Sequence, residues 1–188
     1  MKNKVLTVGI IGMGIGKYHA DAVVRTEKAA LTWICDLDEE LLADMKDKFK
    51  VANTCTDYRE MLKDPDLDCV IIGTPDQLHK KMTEEALAAG KHVLCEKPMA
   101  LSTEQCDEMI AAAEKNGKRL MIGQCLRFHN AYSYLKDCTD NKNFGKLKNL
   151  YMYRRSAQPR WAKELTGART SSGVCGLIRR NAKNLTRT

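Results

Sequence analysis

The stretch Val5–His19, VLTVGIIGMGIGKYH, constrains this chain more than any other. Val5, Leu6, Val8, Ile10 and Ile11 make a run of β-formers. Such a run suits a strand buried on both faces, in the middle of a parallel sheet. Gly12, Gly14 and Gly16 follow, and then a helix-compatible segment over Lys17–Arg25 with Ala20, Val23 and Val24 turned inward. Strand, glycine turn and helix together present free backbone N–H groups, and about half a positive charge, to a phosphate. At Gly12 and Gly14 no Cβ stands between the backbone and a pyrophosphate. Gly12, Gly14, Ile15 and Gly16 are therefore the candidate phosphate-binding residues.

The spacing is G-x-G-x-G, one residue shorter than the dinucleotide fingerprint. A tight glycine turn without a ligand, or the related loop of methyltransferases that bind S-adenosylmethionine, fits it too. Asp36 supplies a second signal. Leu31–Cys35 reads as the next strand, and Asp36 stands at its C-terminal end, twenty residues beyond Gly16. A carboxylate there accepts hydrogen bonds from ribose hydroxyls and repels a 2′-phosphate, which favours NAD over NADP. The alternative for Asp36 is a cap on the helix that begins near Asp38. Both NAD and S-adenosylmethionine carry an adenosine ribose, so these residues alone leave the two open.

The rest of the chain alternates. Asp38–Phe49 is a helix with Leu41, Leu42, Met45 and Phe49 on one face. Tyr58–Lys63 is a short helix stopped by Asp64-Pro65. Cys69–Ile72 is an apolar strand, Leu78–Ala89 a helix closed by Gly90, and His92–Cys95 another strand. Ser102 caps a helix to Asn116, and Leu120–Ile122 is a further strand. Alternation with short connections predicts an α/β fold, a doubly wound parallel sheet of the Rossmann type, over residues 1–125. Ligands of such sheets bind beyond the carboxyl ends of the strands. That rule gathers Gly12–Gly16, Asp36, Gly73–Asp76, Cys95–Pro98 and Gln124–Arg127 onto one rim. Lys146–Arg154, where Leu147, Tyr151 and Tyr153 partly alternate with polar residues, reads as a half-buried strand opening a second domain, so that 126–188 would be an incomplete α+β unit.

Charge and cysteine usage exclude several classes. The net charge is +7, but residues 160–188 hold seven Lys/Arg against one acid, Glu164. The body is near neutral, and the basic tail has no recognised nucleic-acid motif, so a nucleic-acid partner is not expected. Eight cysteines form no C-x-x-C pair and no metal spacing, which points to packing thiols in a reducing cytosol and to no metal. No apolar stretch is long enough to span a bilayer, and three glycines interrupt the one N-terminal run that imitates a secretory leader.

Three stretches on the rim resemble the Gfo/Idh/MocA family of sugar and polyol oxidoreductases: VGIIGMGIGKYHA at 8–20, IIGTPDQLH at 71–79 and HVLCEKPMALS at 92–102. GQCLRFHNAY at 123–132 and QPRW at 158–161 fit more loosely. The Glu-Lys-Pro signature after a strand separates this family from methyltransferases. The resemblance implies hydride transfer between a nicotinamide cofactor and a secondary alcohol of a sugar or polyol, with Lys97 as the central catalytic group. Pro98 keeps Lys97 out of the helical region, so its side chain is aimed at the rim. An ammonium there would hold a substrate hydroxyl and stabilise a developing alkoxide. The resemblance further places Thr74, Pro75 and His79 in the cofactor pocket, and has Glu96 either touch the ribose or hold Lys97 in place. Arg127 is assigned to the substrate side. His19 and His79 also read as supporting groups.

In the family a large antiparallel sheet covers the crevice and supplies an Asp and a His that complete the acid–base set. Here Ser171-Ser172-Gly173-Val174 echoes the stretch before that segment, and CGLIRRNAKNLTRT follows without either residue. The expectation is a truncated or frame-shifted product, with a homo-oligomer only where the second domain is completed. A dinucleotide-binding remnant or regulator without catalysis is the alternative reading.

Overall fold

A computed structural model describes residues 4–153 of the chain. Six parallel strands form one sheet: β1 (Leu6–Ile11), β2 (Ala29–Cys35), β3 (Asn53–Cys55), β4 (Cys69–Ile72), β5 (His92–Cys95) and β6 (Leu120–Ile122). Their order across the sheet is β3-β2-β1-β4-β5-β6. The chain therefore winds outward from β1 one way and then returns to start β4 on its other side. This reversal opens a crevice above the β1/β4 pair.

Side chains along each strand alternate between two apolar layers. Ile10, Ile34 and Ile71 face one layer with Met13, Ala20 and Val23 of α1 (Met13–Val24) and Leu42 of α2 (Glu39–Phe49). Ile11, Val70, Ile72 and Val93 face the other. That second layer is completed by α3 (Tyr58–Leu62), α4 (His79–Ala88) and α5 (Thr103–Lys115), through Met61, Leu87 and Met109. Helix starts carry the side chains expected of them. Asp38, Asp57 and Ser102 each accept a backbone N–H in the first turn of α2, α3 and α5.

The described chain divides into two compact units, Met1–Arg127 and a second that begins at Phe128. The second contains α6 (Asn130–Asp140), which the sequence pattern did not single out. Lys146–Tyr153 has no strand, and Leu147, Leu150, Tyr151, Met152 and Tyr153 are exposed. A single strand cannot satisfy its backbone groups without a neighbour, and the described residues offer this run none. Arg154, the QPRW stretch and the 171–188 segment lie outside the described residues. No helix among the described residues is long and apolar enough to cross a membrane.

Three other expectations change. α1 begins at Met13, not Lys17, so two of the glycines sit inside its first turns. Val24 is exposed, while Ala20 and Val23 are buried. The Leu78–Ala89 helix divides into a 3-10 turn, Asp76–Leu78, and α4.

The N-terminal edge of β1 is held electrostatically. Asp68, just before β4, pairs with the Lys4 ammonium and accepts the Thr7 N–H and hydroxyl. These contacts, Lys4 first, hold its carboxyl below the usual carboxylate range. A depressed folded-state pKa stabilises the fold above the unfolded value, about 3.9, and that contribution disappears as pH falls through the folded one. Asp68→Asn is therefore expected to lower the melting temperature at neutral pH and to flatten its decline below about pH 4, read by thermal melts across pH.

Candidate dinucleotide and active site

The rim is assembled by main-chain hydrogen bonds that run one residue past each strand. Gly12 N–H donates to Cys35 O at 2.8 Å, Gly73 to Ile11 O at 2.8 Å, Glu96 to Ile72 O at 2.9 Å and Gly123 to Cys95 O at 2.8 Å. Asp36 N–H reaches Cys55 O at 3.4 Å. Gly12, Asp36, Gly73, Glu96 and Gly123 thus stand side by side at the carboxyl edge.

The glycines divide the work. Gly12 has φ +85°, and a Cβ there would lie 2.7 Å from the Gly73 carbonyl oxygen. Its lack of a side chain serves the contact between the loops after β1 and β4. Gly16 meets Ile10, where a Cβ would come within 2.7 Å of Cγ2. Close packing of helix on strand is its requirement, and it explains why α1 forms despite two glycines. Around Gly14 a Cβ would meet nothing within 4 Å. Gly14 and Ile15 lie in the first turn of α1, where N–H groups have no intrahelical acceptor. Gly12 supplies no side-chain cap, and the first turn holds no acid. N–H groups at Gly14 and Ile15 beside open space suit an anion.

Asp36 meets this turn directly. Its Oδ2 accepts the Met13 N–H at 2.6 Å and its Oδ1 accepts the Asp38 N–H at 3.2 Å. Asp38, not Asp36, caps α2, accepting the Leu41 N–H at 3.0 Å. An ionised carboxylate accepts about four hydrogen bonds, so two described contacts leave Asp36 room for hydroxyl donors.

On the β5 side, the Lys97–Pro98 peptide bond is cis and Lys97 is exposed. Its backbone N–H donates to Glu96 Oε2 at 3.1 Å, while Glu96 Oε1 lies 2.9 Å from His19 Nε2 on α1. Gly123 abuts the same carboxylate, since a Cβ there would come within 3.1 Å of Oε1. Of the two readings of Glu96, this arrangement supports the second, a group that fixes the Lys97 segment. Among the described residues no carboxylate lies within ion-pair reach of the Lys97 ammonium.

His79 stands beneath the rim rather than in it. It is 1% exposed, with Nδ1 2.7 Å from Pro98 O and Nε2 2.9 Å from Thr74 O. Both ring nitrogens face protein carbonyls, so neither is presented to a cofactor. The ring ties the Thr74-Pro75 segment to the Lys97-Pro98 segment. Thr74 and Pro75 follow β4 at the crevice, and Pro75 opens the 3-10 turn. Asp76 beside it, the last residue of the Gly73–Asp76 rim stretch, keeps Oδ2 buried and without a partner among the described residues. Arg127 lies in the 3-10 turn Cys125–Phe128 after β6, its N–H bonded to Gln124 O at 3.0 Å.

Comparison with known proteins agrees with this geometry. Residues 6–124 match the family model described as an oxidoreductase family with an NAD-binding Rossmann fold. The oxidoreductase YrbE of Bacillus subtilis is 32% identical over 172 residues, 91% of this chain and 50% of its own length. The myo-inositol 2-dehydrogenase of Thermotoga maritima is 32% identical over 170 residues, 90% of this chain and 50% of its own. A crystal structure of scyllo-inositol dehydrogenase from Lactobacillus casei with bound NAD(H) and scyllo-inositol superposes with a TM-score of 0.72 at 30% identity, covering 76% of this chain and 43% of the other. The chain thus spans about half the length of the curated relatives it matches. By its matched residues and its sheet, the chain belongs to the Gfo/Idh/MocA family of oxidoreductases and carries that family's NAD-binding Rossmann fold.

Proposed function

We propose that the chain binds NAD, in preference to NADP, and that its rim serves hydride transfer at a secondary alcohol carbon of a sugar or cyclic polyol. The observation that carries the cofactor half is the pairing of Asp36 with the glycine turn: the 2.6 Å bond to the Met13 N–H sets an acid beside a helix start whose next N–H groups face open space. In this reading the first-turn N–H groups around Gly14 and Ile15 hold the pyrophosphate. Asp36 accepts from the adenosine ribose hydroxyls, and Thr74 and Pro75 line the nicotinamide end. The nicotinamide, when bound, supplies the hydride acceptor. Lys97 holds the substrate hydroxyl, and its ammonium stabilises negative charge developing on that oxygen. Glu96, His19 and His79 hold the Lys97-Pro98 segment, and Arg127 faces the substrate.

Inositol dehydrogenases among the relatives support a polyol as the substrate class.

Glycine substitutions test where the pyrophosphate sits. Gly12→Ala is expected to destabilise the fold by about 2–4 kcal/mol, from its left-handed backbone and its contact with the Gly73 carbonyl. Gly14→Ala adds a methyl to a helix beside open space and is expected to leave stability unchanged or raise it by about 0.5–1 kcal/mol. The same methyl would stand against the pyrophosphate, so NADH affinity should fall by roughly tenfold or more. Thermal melts and titration calorimetry read the two effects. A stable Gly14→Ala protein with unchanged NADH affinity refutes the placement.

A further inference from the structure

Two thiols lie next to each other directly under the dinucleotide turn. Cys35 ends β2, Cys55 ends β3, and they are register partners across the two parallel strands. Both are buried and point into the same apolar layer. Neighbouring strands lie about 4.8 Å apart, which places register-paired Cα atoms inside the roughly 4.4–6.8 Å span that a disulfide needs. β3 is only three residues long and forms the outer edge of the sheet. A short edge strand can shift by the few tenths of an ångström that close the remaining gap.

Two further observations bear on reactivity. A cavity of about 500 Å³, open to solvent, is lined by Leu42, Lys46, Thr54, Cys55, Thr56 and Glu60 among others. This cavity brings solvent to the sheet edge at Cys55. Each thiol also acts on the other: the neighbouring Cys35 lowers the pKa of Cys55, while Cys55 and burial hold the Cys35 proton well above the usual thiol range. A lowered thiol pKa raises the reactive thiolate fraction.

The backbone connects the pair to the site. Cys35 O holds the Gly12 N–H at 2.8 Å, and Cys55 O holds the Asp36 N–H at 3.4 Å. Asp36 in turn holds the Met13 N–H. Moving β3 toward β2 therefore disturbs the acid that braces the turn.

We propose that Cys35 and Cys55 are a reversible disulfide site, and that closing it loosens the glycine turn and weakens dinucleotide binding. The first clause is independent of the cofactor reading, and the last rests on it. With hydrogen peroxide as oxidant, the Cys55 thiolate attacks one peroxide oxygen and the O–O bond breaks. The departing hydroxide takes up the proton that Cys55 released on forming the thiolate, leaving a sulfenic acid and one water. The Cys35 sulfur then attacks the Cys55 sulfur, the S–S bond forms and the S–O bond breaks. That hydroxide leaves with the Cys35 proton as a second water. A small dithiol reverses the bond by exchange.

The test uses the full chain, reduced and then treated with hydrogen peroxide, with remaining thiols blocked by N-ethylmaleimide before peptide mapping. The expected product is a linked pair of peptides carrying Cys35 and Cys55, two hydrogens lighter than their sum and separated by dithiothreitol. In the oxidised chain the Gly12 and Met13 amides should exchange hydrogen faster, and NADH affinity should fall roughly tenfold, the scale of one lost hydrogen bond to a charged group. Cys55→Ala, treated in the same way, should change in neither respect. Alkylation of both thiols after peroxide, a link to a different cysteine, or a Cys35–Cys55 link with unchanged exchange at Gly12 and Met13 each overturns the proposal. A reduced chain that fails to bind NADH refutes the cofactor reading instead, and the peptide map and amide exchange still decide this one.

Discussion

Lys97→Ala is expected to lower NADH formation from myo-inositol by about 10²–10⁴-fold, the range for removal of a positioned proton-transfer or charge-stabilising group. NADH affinity should stay close to that of the unsubstituted chain, because the residues proposed to hold the pyrophosphate and ribose, Gly14, Ile15 and Asp36, follow β1 and β2, whereas Lys97 follows β5. The geometry gives the reason for this split. Lys97 is aimed by its own backbone: its N–H is held by Glu96, whose other oxygen is held by His19. Truncating the side chain leaves that frame standing. Lys97→Arg should not restore the rate, since a planar fork replaces a compact ammonium that can approach a single oxygen. Initial rates and calorimetric affinities measured on the same samples check both halves. An unsubstituted chain that binds NADH but yields none from any polyol establishes the non-catalytic reading.

The second large effect concerns cofactor choice. Asp36→Asn keeps a carbonyl oxygen for the Met13 N–H but removes the charge. NADPH affinity is expected to rise relative to NADH by about 10²-fold or more, since two unit charges about 4 Å apart at an effective dielectric of 20 repel by roughly 4 kcal/mol. NADH affinity itself should fall less, by about tenfold, the loss of strong acceptance from ribose hydroxyls. Asp36→Ala should do worse on both cofactors, because the turn then loses its brace at Met13 as well. Calorimetry with NADH and NADPH on all three proteins measures the ratio. A ratio that Asp36→Asn leaves unchanged refutes the role given to the carboxylate.

Much of this was legible in the residues because strand ends are marked by abrupt change. β1, β4 and β5 are short apolar runs stopped by glycine or by a charged residue. Once the sheet is parallel, the rim follows from topology without any contact being known. β3 was invisible for the opposite reason: Asn53-Thr54-Cys55 has no apolar run, and it is a strand only because it pairs with β2. The start of α1 was misplaced because glycine opposes helix in isolation, whereas here Ile10 requires a residue without Cβ at Gly16. His79 shows a different limit. It stands beside the rim in the chain, but its bond to Pro98 O joins residues nineteen apart, and no local pattern encodes it. The Lys146–Tyr153 run has the composition of a strand but pairs with no strand among the described residues, and in a sheet the pairing decides.

The main-chain lacing at the carboxyl edge has one more consequence. The outline of the crevice is drawn by amides and carbonyls that every residue type except proline can provide. Amino acids along it, apart from the glycines whose missing Cβ the close contacts require, can therefore be exchanged without redrawing the outline. Selectivity can drift from one alcohol to another, or from one nicotinamide carrier to its phosphorylated sibling, while the frame keeps its dimensions.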